Sequence, residues 1–245
     1  MVSYVARLDK FISQELGYKK RQVQLLLARG LVSVDDVICY EGQQRIGQFS
    51  KLEVEGQLLR QHTPIYLMLH KPAGIVSATV DDKHTTVLDI LPSKYQDLHI
   101  AGRLDRHSTG LLLLTNNGQW SRQITQPNTK LPKHYTVTVA NPITQAEIDA
   151  FARGIYFAFE DLTTAPAQLI MTTATSAQVI LKEGRYHQIK RMFGHFRNPV
   201  LSIHRTQVGH IRLPADMAPG GYRVVSDPLD FWAQFFGLAL LILSI

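Results

Sequence analysis

Apolar residues recur at two different spacings along the chain, and these spacings divide it into two regions. In the first 60 residues the spacing is that of two short amphipathic helices, the first of which Gly17 ends. The second helix is flanked by basic residues and is followed by two short alternating segments, 31–34 and 51–54, which predict strands. The apolar positions that define the helices are Val5, Leu8, Ile12, Leu16, Val23, Leu26 and Leu27. This pattern predicts a small helix-and-strand module over residues 1–60.

After a short linker at 61–64, the pattern becomes mainly that of strands, which predicts a larger domain over 65–245. A helix is expected at 120–125, and the capping box at Thr144–Glu147 predicts another that Gly154 ends. The segments that predict strands are 66–70, 98–101, 111–114, 133–139, 167–172, 177–181 and 200–205.

Four consecutive leucines, Leu111–Leu114, are bounded by Gly110 and by an Asn-Asn-Gly turn. Such a run is typical of a strand that is buried on both faces. Asp105 is then expected on the loop that enters this strand, with Arg103 and Arg106 beside it. A carboxylate there lies at the mouth of a dry pocket whose entrance favours a polyanion. The alternative is structural, because Asp is also common in turns that precede strands.

The composition is that of a globular protein, with 45% apolar and 19% charged residues among 245. A single cysteine, Cys39, rules out an intramolecular disulfide and indicates a reducing compartment. No signal peptide is recognisable, so the expected location is the cytoplasm. The ten histidines form no HxxxH or HExxH pair, and no phosphate-binding glycine motif occurs. We therefore expect neither a metal nor a nucleotide or other cofactor.

The positive charge is concentrated in one segment. The net charge of the chain is +6, and residues 182–212 alone hold seven basic side chains against one acidic side chain. This concentration favours binding to a nucleic acid. The first 60 residues hold nine basic and seven acidic side chains, so the basic ends of the second helix indicate either an RNA contact or only a solvated helix surface.

Residues 101–118, which contain GRLD, a Thr-Gly before the leucines and TNNG, resemble the central motif of RNA pseudouridine synthases. The continuation GQWS is similar to the branch that modifies small-subunit ribosomal RNA in bacteria, and residues 7–34 resemble the S4 RNA-binding domain. The resemblance implies an α+β fold, in which a small S4-like module precedes a larger, mainly antiparallel mixed sheet with flanking helices. It also implies that the substrate is small-subunit ribosomal RNA, either free or in an assembling particle.

The same resemblance implies roles for individual residues. Asp105 is the catalytic residue, acting either by covalent addition or as a base, and Lys190 in EGRYHQIKRMF pairs with it. Tyr135 in KHYTVTV stacks on the target base, Ile203 contributes an apolar pocket wall, and Arg103 lies at the pocket. The expected RNA contacts are Lys19, Lys20, Arg21, Arg29, Lys71, Arg106, Arg185 and Arg191. Structural alternatives stay open: Tyr135 packing on its strand, Lys71 preceding a turn, and Lys190 covering a surface helix.

A different class of protein also fits part of this pattern, namely a non-catalytic RNA-binding or ribosome-assembly factor in which Asp105 is structural. A glycosidase or RNA hydrolase fits less well, because no second carboxylate motif stands out. The apolar end, residues 231–245, predicts a helix of roughly 22 Å, which is shorter than a bilayer requires. We expect this segment to dock on the large domain or on a second chain and not to span a membrane.

Overall fold

The computed structural model describes residues 6–126 and 131–225. The chain divides into two compact units, Met1–Pro64 and Ile65–Ile245.

The first unit packs two helices against small sheets. Helices α1 (Leu8–Leu16) and α2 (Lys20–Ala28) bury Leu8, Ile12 and Val23 completely. A four-stranded antiparallel sheet has the order β3-β2-β5-β6, and a separate pair joins β1 to β4. The strands are β1 (Ala6–Arg7), β2 (Val32–Val34), β3 (Val37–Ile38), β4 (Arg45–Ile46), β5 (Leu52–Val54) and β6 (Gln57–Arg60). The tight turn between β2 and β3 places both Asp35 and Asp36 at positive φ, a conformation that aspartate tolerates better than most residues.

The second unit is built on a nine-stranded sheet with the order β13-β14-β10-β15-β9-β7-β17, to which β16 and β8 add at β15 and β9. All pairs are antiparallel except β9 with β15, which is parallel. Its strands are β7 (Tyr66–Lys71), β8 (His99–Ala101), β9 (Thr109–Thr115), β10 (Lys133–Val139), β13 (Gln168–Thr173), β14 (Ser176–Leu181), β15 (Val200–Val208), β16 (Ile211–Arg212) and β17 (Tyr222–Val224). A small hairpin, β11 (Tyr156–Phe157) with β12 (Leu162–Thr163), lies outside the sheet.

Helices cover both faces of this sheet. Leu112 and Leu114 of β9 belong to a core cluster with residues of α4 (Gln145–Arg153) and α5 (Gln188–Gly194). Leu111 and Leu113 belong to a cluster on the other face with residues of α3 (Gly118–Thr125). A short 3-10 helix spans Ser93–Tyr95. The four leucines have no exposed surface, because alternate side chains of one strand point to opposite faces and both faces are covered.

The expected α+β fold with a mainly antiparallel sheet is therefore confirmed, as is the strand buried on both faces. The predicted capping box is present: Thr144 Oγ1 accepts from Glu147 N, and Thr144 N donates to Glu147 Oε2. Within residues 6–126 and 131–225, no helix is long and apolar enough to cross a membrane. The segment 231–245, for which we expect docking, lies outside the described residues.

Candidate active site

Asp105 lies on the loop of residues 102–108 that joins β8 to β9, here called the β8–β9 loop. Its carboxylate lies near the lysine and the histidine at the start of α5. Asp105 Oδ2 is 3.6 Å from Lys190 Nζ, and Asp105 Oδ1 is 3.4 Å from His187 Nε2. The Asp105 side chain is 29% exposed and the other two are 36% exposed, so the group is open to a ligand from outside.

Helix α5 brings these residues to Asp105 because its other face is anchored in the core. Ile189, Met192 and Phe193 are buried in the cluster that also contains Leu104, the neighbour of Asp105. His187 precedes the helix with a φ of 50°, a left-handed conformation that is uncommon outside glycine. His187 and Lys190 are three residues apart and therefore share one side of this turn.

A buried lysine supports the β8–β9 loop through hydrogen bonds to backbone carbonyls. Lys71 has no exposed surface, and its Nζ donates to the carbonyls of Pro72, Arg106 and Ser108 at 3.0, 3.1 and 2.8 Å. Burial lowers the pKa of the Lys71 ammonium to about 8, while the charge of Asp105 raises it and that of Arg205 lowers it. At neutral pH the ammonium is therefore mostly protonated, and each of its three N–H groups has one carbonyl acceptor. The prediction that Lys71 contacts RNA is wrong, because a side chain without exposed surface cannot reach a phosphate.

Arg205 and Ser77 fix the remainder of the loop. The Arg205 guanidinium is buried and donates to the carbonyls of Gly102, Arg103 and Leu111, with distances of 2.9, 3.3 and 2.8 Å. Ser77 Oγ donates to Leu104 O at 2.8 Å and accepts from Leu104 N at 3.1 Å. The backbone of the two residues before Asp105, Arg103 and Leu104, is thus hydrogen-bonded to side chains from distant segments. Arg205 belongs to the basic segment 182–212, but it is an internal support and not part of an exposed surface.

Gly110 allows β9 and β15 to approach closely beside this loop. Its φ is 107°, and a Cβ at this position would lie 2.2 Å from the carbonyl oxygen of Arg205 and 2.6 Å from its backbone nitrogen. A side chain of any kind would therefore push apart the two strands that carry the loop and its arginine support.

Tyr135 and Ile203 lie on adjacent strands, β10 and β15, and belong to the same core cluster as Leu104 and Ile189. They are 8% and 7% exposed. The sheet therefore places both in the apolar layer that also contains the neighbours of Asp105 and Lys190.

The residues expected to contact RNA have different surroundings. Arg103 is exposed, and Arg106 is exposed with its Nε donating to Gly74 O at 3.0 Å. Arg185 pairs with Glu183 at 3.0 Å, and Arg191 makes a two-point pair with Glu160, so the charges of both are partly neutralised. In the first unit the four basic residues expected to contact RNA are exposed at the start and end of α2: Lys19, Lys20, Arg21 and Arg29.

Sequence reasoning missed four residues that the structure places at or near the site: His187, Arg205, Ser77 and Glu160. For His187 a signal existed, because it lies one helical turn before Lys190 within the same motif. For the others we find no local signal, since their partners lie tens of residues away in the chain. Among the described residues, no three His, Cys, Asp or Glu side chains form a group that could hold a metal ion.

Comparison with known proteins is consistent with this arrangement. Residues 65–195 match the family model for RNA pseudouridylate synthase, and the chain belongs to this family. A ribosomal small subunit pseudouridine synthase A of Pseudomonas aeruginosa is 48% identical over 219 residues, covering 89% of this chain and 95% of the relative. The protein of the same name in Escherichia coli K12 is 40% identical, covering 90% of this chain and 96% of the relative.

A solved structure indicates the same family. The crystal structure of a pseudouridylate synthase aligns with a TM-score of 0.66 and 35% sequence identity, covering 92% of this chain and 98% of that chain. The protein is thus an RNA pseudouridine synthase, an isomerase that converts uridine in RNA to pseudouridine. The expected enzyme class is confirmed.

Proposed function

We propose that Asp105 is the catalytic residue and that the substrate is a uridine of small-subunit ribosomal RNA, free or in an assembling particle. The observation that carries this proposal is the placement of the Asp105 carboxylate between Lys190 and His187 on a loop held by buried side chains. The names of the relatives in Pseudomonas aeruginosa and Escherichia coli support the choice of RNA.

The reaction changes the uracil atom that is bonded to the ribose from N1 to C5. The N1–C1′ bond breaks, a C5–C1′ bond forms, and the proton of C5 is lost while N1 gains one, so no group is added or removed. A single carboxylate suffices, because no water must be activated as in glycoside hydrolysis. Asp105 acts either by covalent addition or by taking a proton, and both need its ionised form. The Lys190 ammonium, 3.6 Å from Asp105 Oδ2, is the cation nearest to this carboxylate among the described side chains.

We assign two further residues to the base of the target uridine. The base must leave its stack to reach Asp105. Tyr135 offers a flat ring for stacking, and Ile203 an apolar wall on the adjacent strand. We assign Arg103 and Arg106, which are exposed and lie before and after Asp105 in the loop, to the phosphates that flank the target.

We also propose that the first unit is an S4-like RNA-binding module and that the unit from residue 65 onward is the catalytic domain. Lys19, Lys20, Arg21 and Arg29 are exposed at both ends of α2, and no ion pair engages them among the described residues. Exposed, unpaired cations attract phosphate, and their effect falls steeply with salt. Because ribosomal RNA is the proposed substrate, we place the enzyme in the cytoplasm.

The deciding experiment is Asp105→Asn, tested on transcribed small-subunit RNA. Asparagine keeps the size and polarity of the side chain but offers no carboxylate for addition or proton transfer. We expect no detectable pseudouridine, whereas folding and RNA affinity stay close to those of the parent. The matched control is Asp97→Asn, the same exchange on an exposed loop of the same unit, which should retain full activity.

The competing hypothesis is that Asp105 has only a structural role in the β8–β9 loop and that another group carries out the isomerisation. It predicts that Asp105→Asn changes neither RNA affinity nor the amount of pseudouridine formed. Isomerisation by the Asn variant at the parental rate would show that Asp105 is not the catalyst.

A further inference from the structure

A cleft runs along α5 away from Asp105. It has a volume of about 490 Å³ and lies between α5 and the β11–β12 hairpin. His187 and Lys190, the two residues that meet Asp105, line the cleft, and His195 lines it beyond the end of the helix. This volume is within the range of roughly 300–1,000 Å³ in which proteins hold small organic ligands. The cleft is therefore a space that begins beside the site described above.

The outer wall of the cleft is fixed in place. Glu160, in the turn of the β11–β12 hairpin, accepts from both terminal nitrogens of Arg191 on α5. The same guanidinium lies 3.7 Å from the ring centre of Phe157. Tyr156 Oη donates to Asp161 at 2.7 Å across the hairpin. These contacts connect the hairpin to α5 at its turn, so the cleft exists before a ligand binds.

Aromatic side chains are displayed to solvent around this cleft. Phe159, next to the fixed Glu160, is 96% exposed, and Tyr156, which lines the cleft, is 56% exposed. Tyr186 is 76% exposed and stacks on His187 with ring centres 3.9 Å apart. A phenylalanine that stays almost fully in water contributes little to the stability of the fold. An exposed ring on a fixed turn is instead suited to stack on a partner.

The charge of the cleft identifies the kind of partner. Lys190, Arg191 and two histidines line it. Lys190 lies 3.6 Å from Asp105, and Arg191 is paired with Glu160 in the hairpin turn, so the positive charge here is partly offset. Cations interleaved with exposed aromatic rings are the surface that binds unpaired nucleotides, because phosphates meet the cations and any base can stack on a ring.

We propose that this cleft binds an unpaired nucleotide adjacent to the target uridine, with Phe159 and Tyr156 stacking on bases at its rim. The proposal rests on the function proposed above and adds a second subsite to it. An enzyme that swings one base out of a folded RNA leaves neighbouring bases unstacked. A preformed aromatic and cationic cleft next to Asp105 stabilises that opened strand.

The test uses Phe159→Ala and Phe159→Trp in the full chain with transcribed small-subunit RNA. Since the Phe159 residue is 96% exposed, both variants should fold normally. We expect Phe159→Ala to raise the dissociation constant about five-fold or more, as for loss of one base stack. Phe159→Trp should retain or improve affinity. Ile170→Ala, a truncation of an exposed apolar residue on edge strand β13, is the matched control and should have no effect.

A second measurement reports the stacking directly. Fluorescence of the indole added by Phe159→Trp should be quenched by an unpaired uridine-containing oligonucleotide, and much less by the same sequence in a duplex. Equal affinities for Phe159→Ala and the parent, or equal quenching by both RNAs, would overturn the proposal. So would a change of self-association in Phe159→Ala in place of a change in RNA affinity. Asp105→Asn distinguishes failure of the proposed subsite from failure of the proposed function. If Asp105→Asn abolishes pseudouridine while Phe159→Ala binds RNA normally, only the subsite proposal is wrong.

Discussion

The close approach of β9 and β15 at Gly110 provides a sharp test of how the site is held. Gly110→Ala would place a methyl group 2.2 Å from the Arg205 carbonyl oxygen, where the facing atom is backbone and cannot rotate away. The strands must therefore separate by the order of 1 Å, and such overpacking costs about 1–3 kcal/mol. Alanine at a φ of 107° adds backbone strain of about 1–3 kcal/mol. The expected loss in the free energy of unfolding is about 2–6 kcal/mol.

The effect on the reaction should be larger than that on RNA binding. Separation of the strands moves Arg205, and with it the carbonyls of Gly102 and Arg103 that lead to Asp105. A displacement of the order of 1 Å at a catalytic group reduces the rate on the order of 100-fold. The assays are urea unfolding and single-turnover formation of pseudouridine in transcribed small-subunit RNA.

The matched control is Gly220→Ala. Gly220 also has a positive φ, 83°, but no atom lies within 4 Å of a Cβ built there. This variant should therefore show backbone strain without a clash. If Gly110→Ala is no less stable and no slower than Gly220→Ala, the close approach does not position Asp105 and our reasoning is refuted.

Three other substitutions test separate parts of the structure. Arg205→Lys keeps the charge but cannot bond three carbonyls in a fork, so we expect about 2–4 kcal/mol lower stability by urea unfolding and slower turnover; parental values would contradict its supporting role. Lys190→Met should slow isomerisation far more than it weakens RNA binding by filter assay, because it removes one cation of many from the surface; equal losses would make Lys190 an ordinary phosphate contact. His204→Gln should reduce the loss of stability below pH 6.5. Burial, and secondarily the nearby charge of His70, lowers the pKa of His204, so the unfolded chain binds a proton that the folded chain resists and stability falls as pH drops. An unchanged pH dependence of urea unfolding would refute this.

The parts of the structure that were predictable from the sequence are those set by local pattern. The leucine run, the capping box and the strand around Tyr135 each depend on neighbours within a few residues. The contact of Asp105 with Lys190 was predictable only through resemblance to a family, since 85 residues separate them in the chain.

Buried cations mark the limit of such reasoning. Lys71 and Arg205 look like surface residues in the sequence, because lysine and arginine are rarely buried. Their burial depends on backbone carbonyls of the β8–β9 loop, which lie 35–103 residues away. Arg191 shows a similar limit, since its partner Glu160 is 31 residues earlier in a hairpin turn. Charge counted along the chain therefore overestimates the charge available to RNA.

The burial of β9 on both faces has a consequence for hydrogen exchange. Its backbone pairs with β7, β8 and β15, and helices cover both of its faces. The amides of residues 111–114 should then exchange with deuterium only when the whole second unit unfolds, as is usual for the most stable element of a domain. The β8–β9 loop ends directly at this strand, so substrate can enter or leave the loop while the strand that anchors it stays protected from exchange.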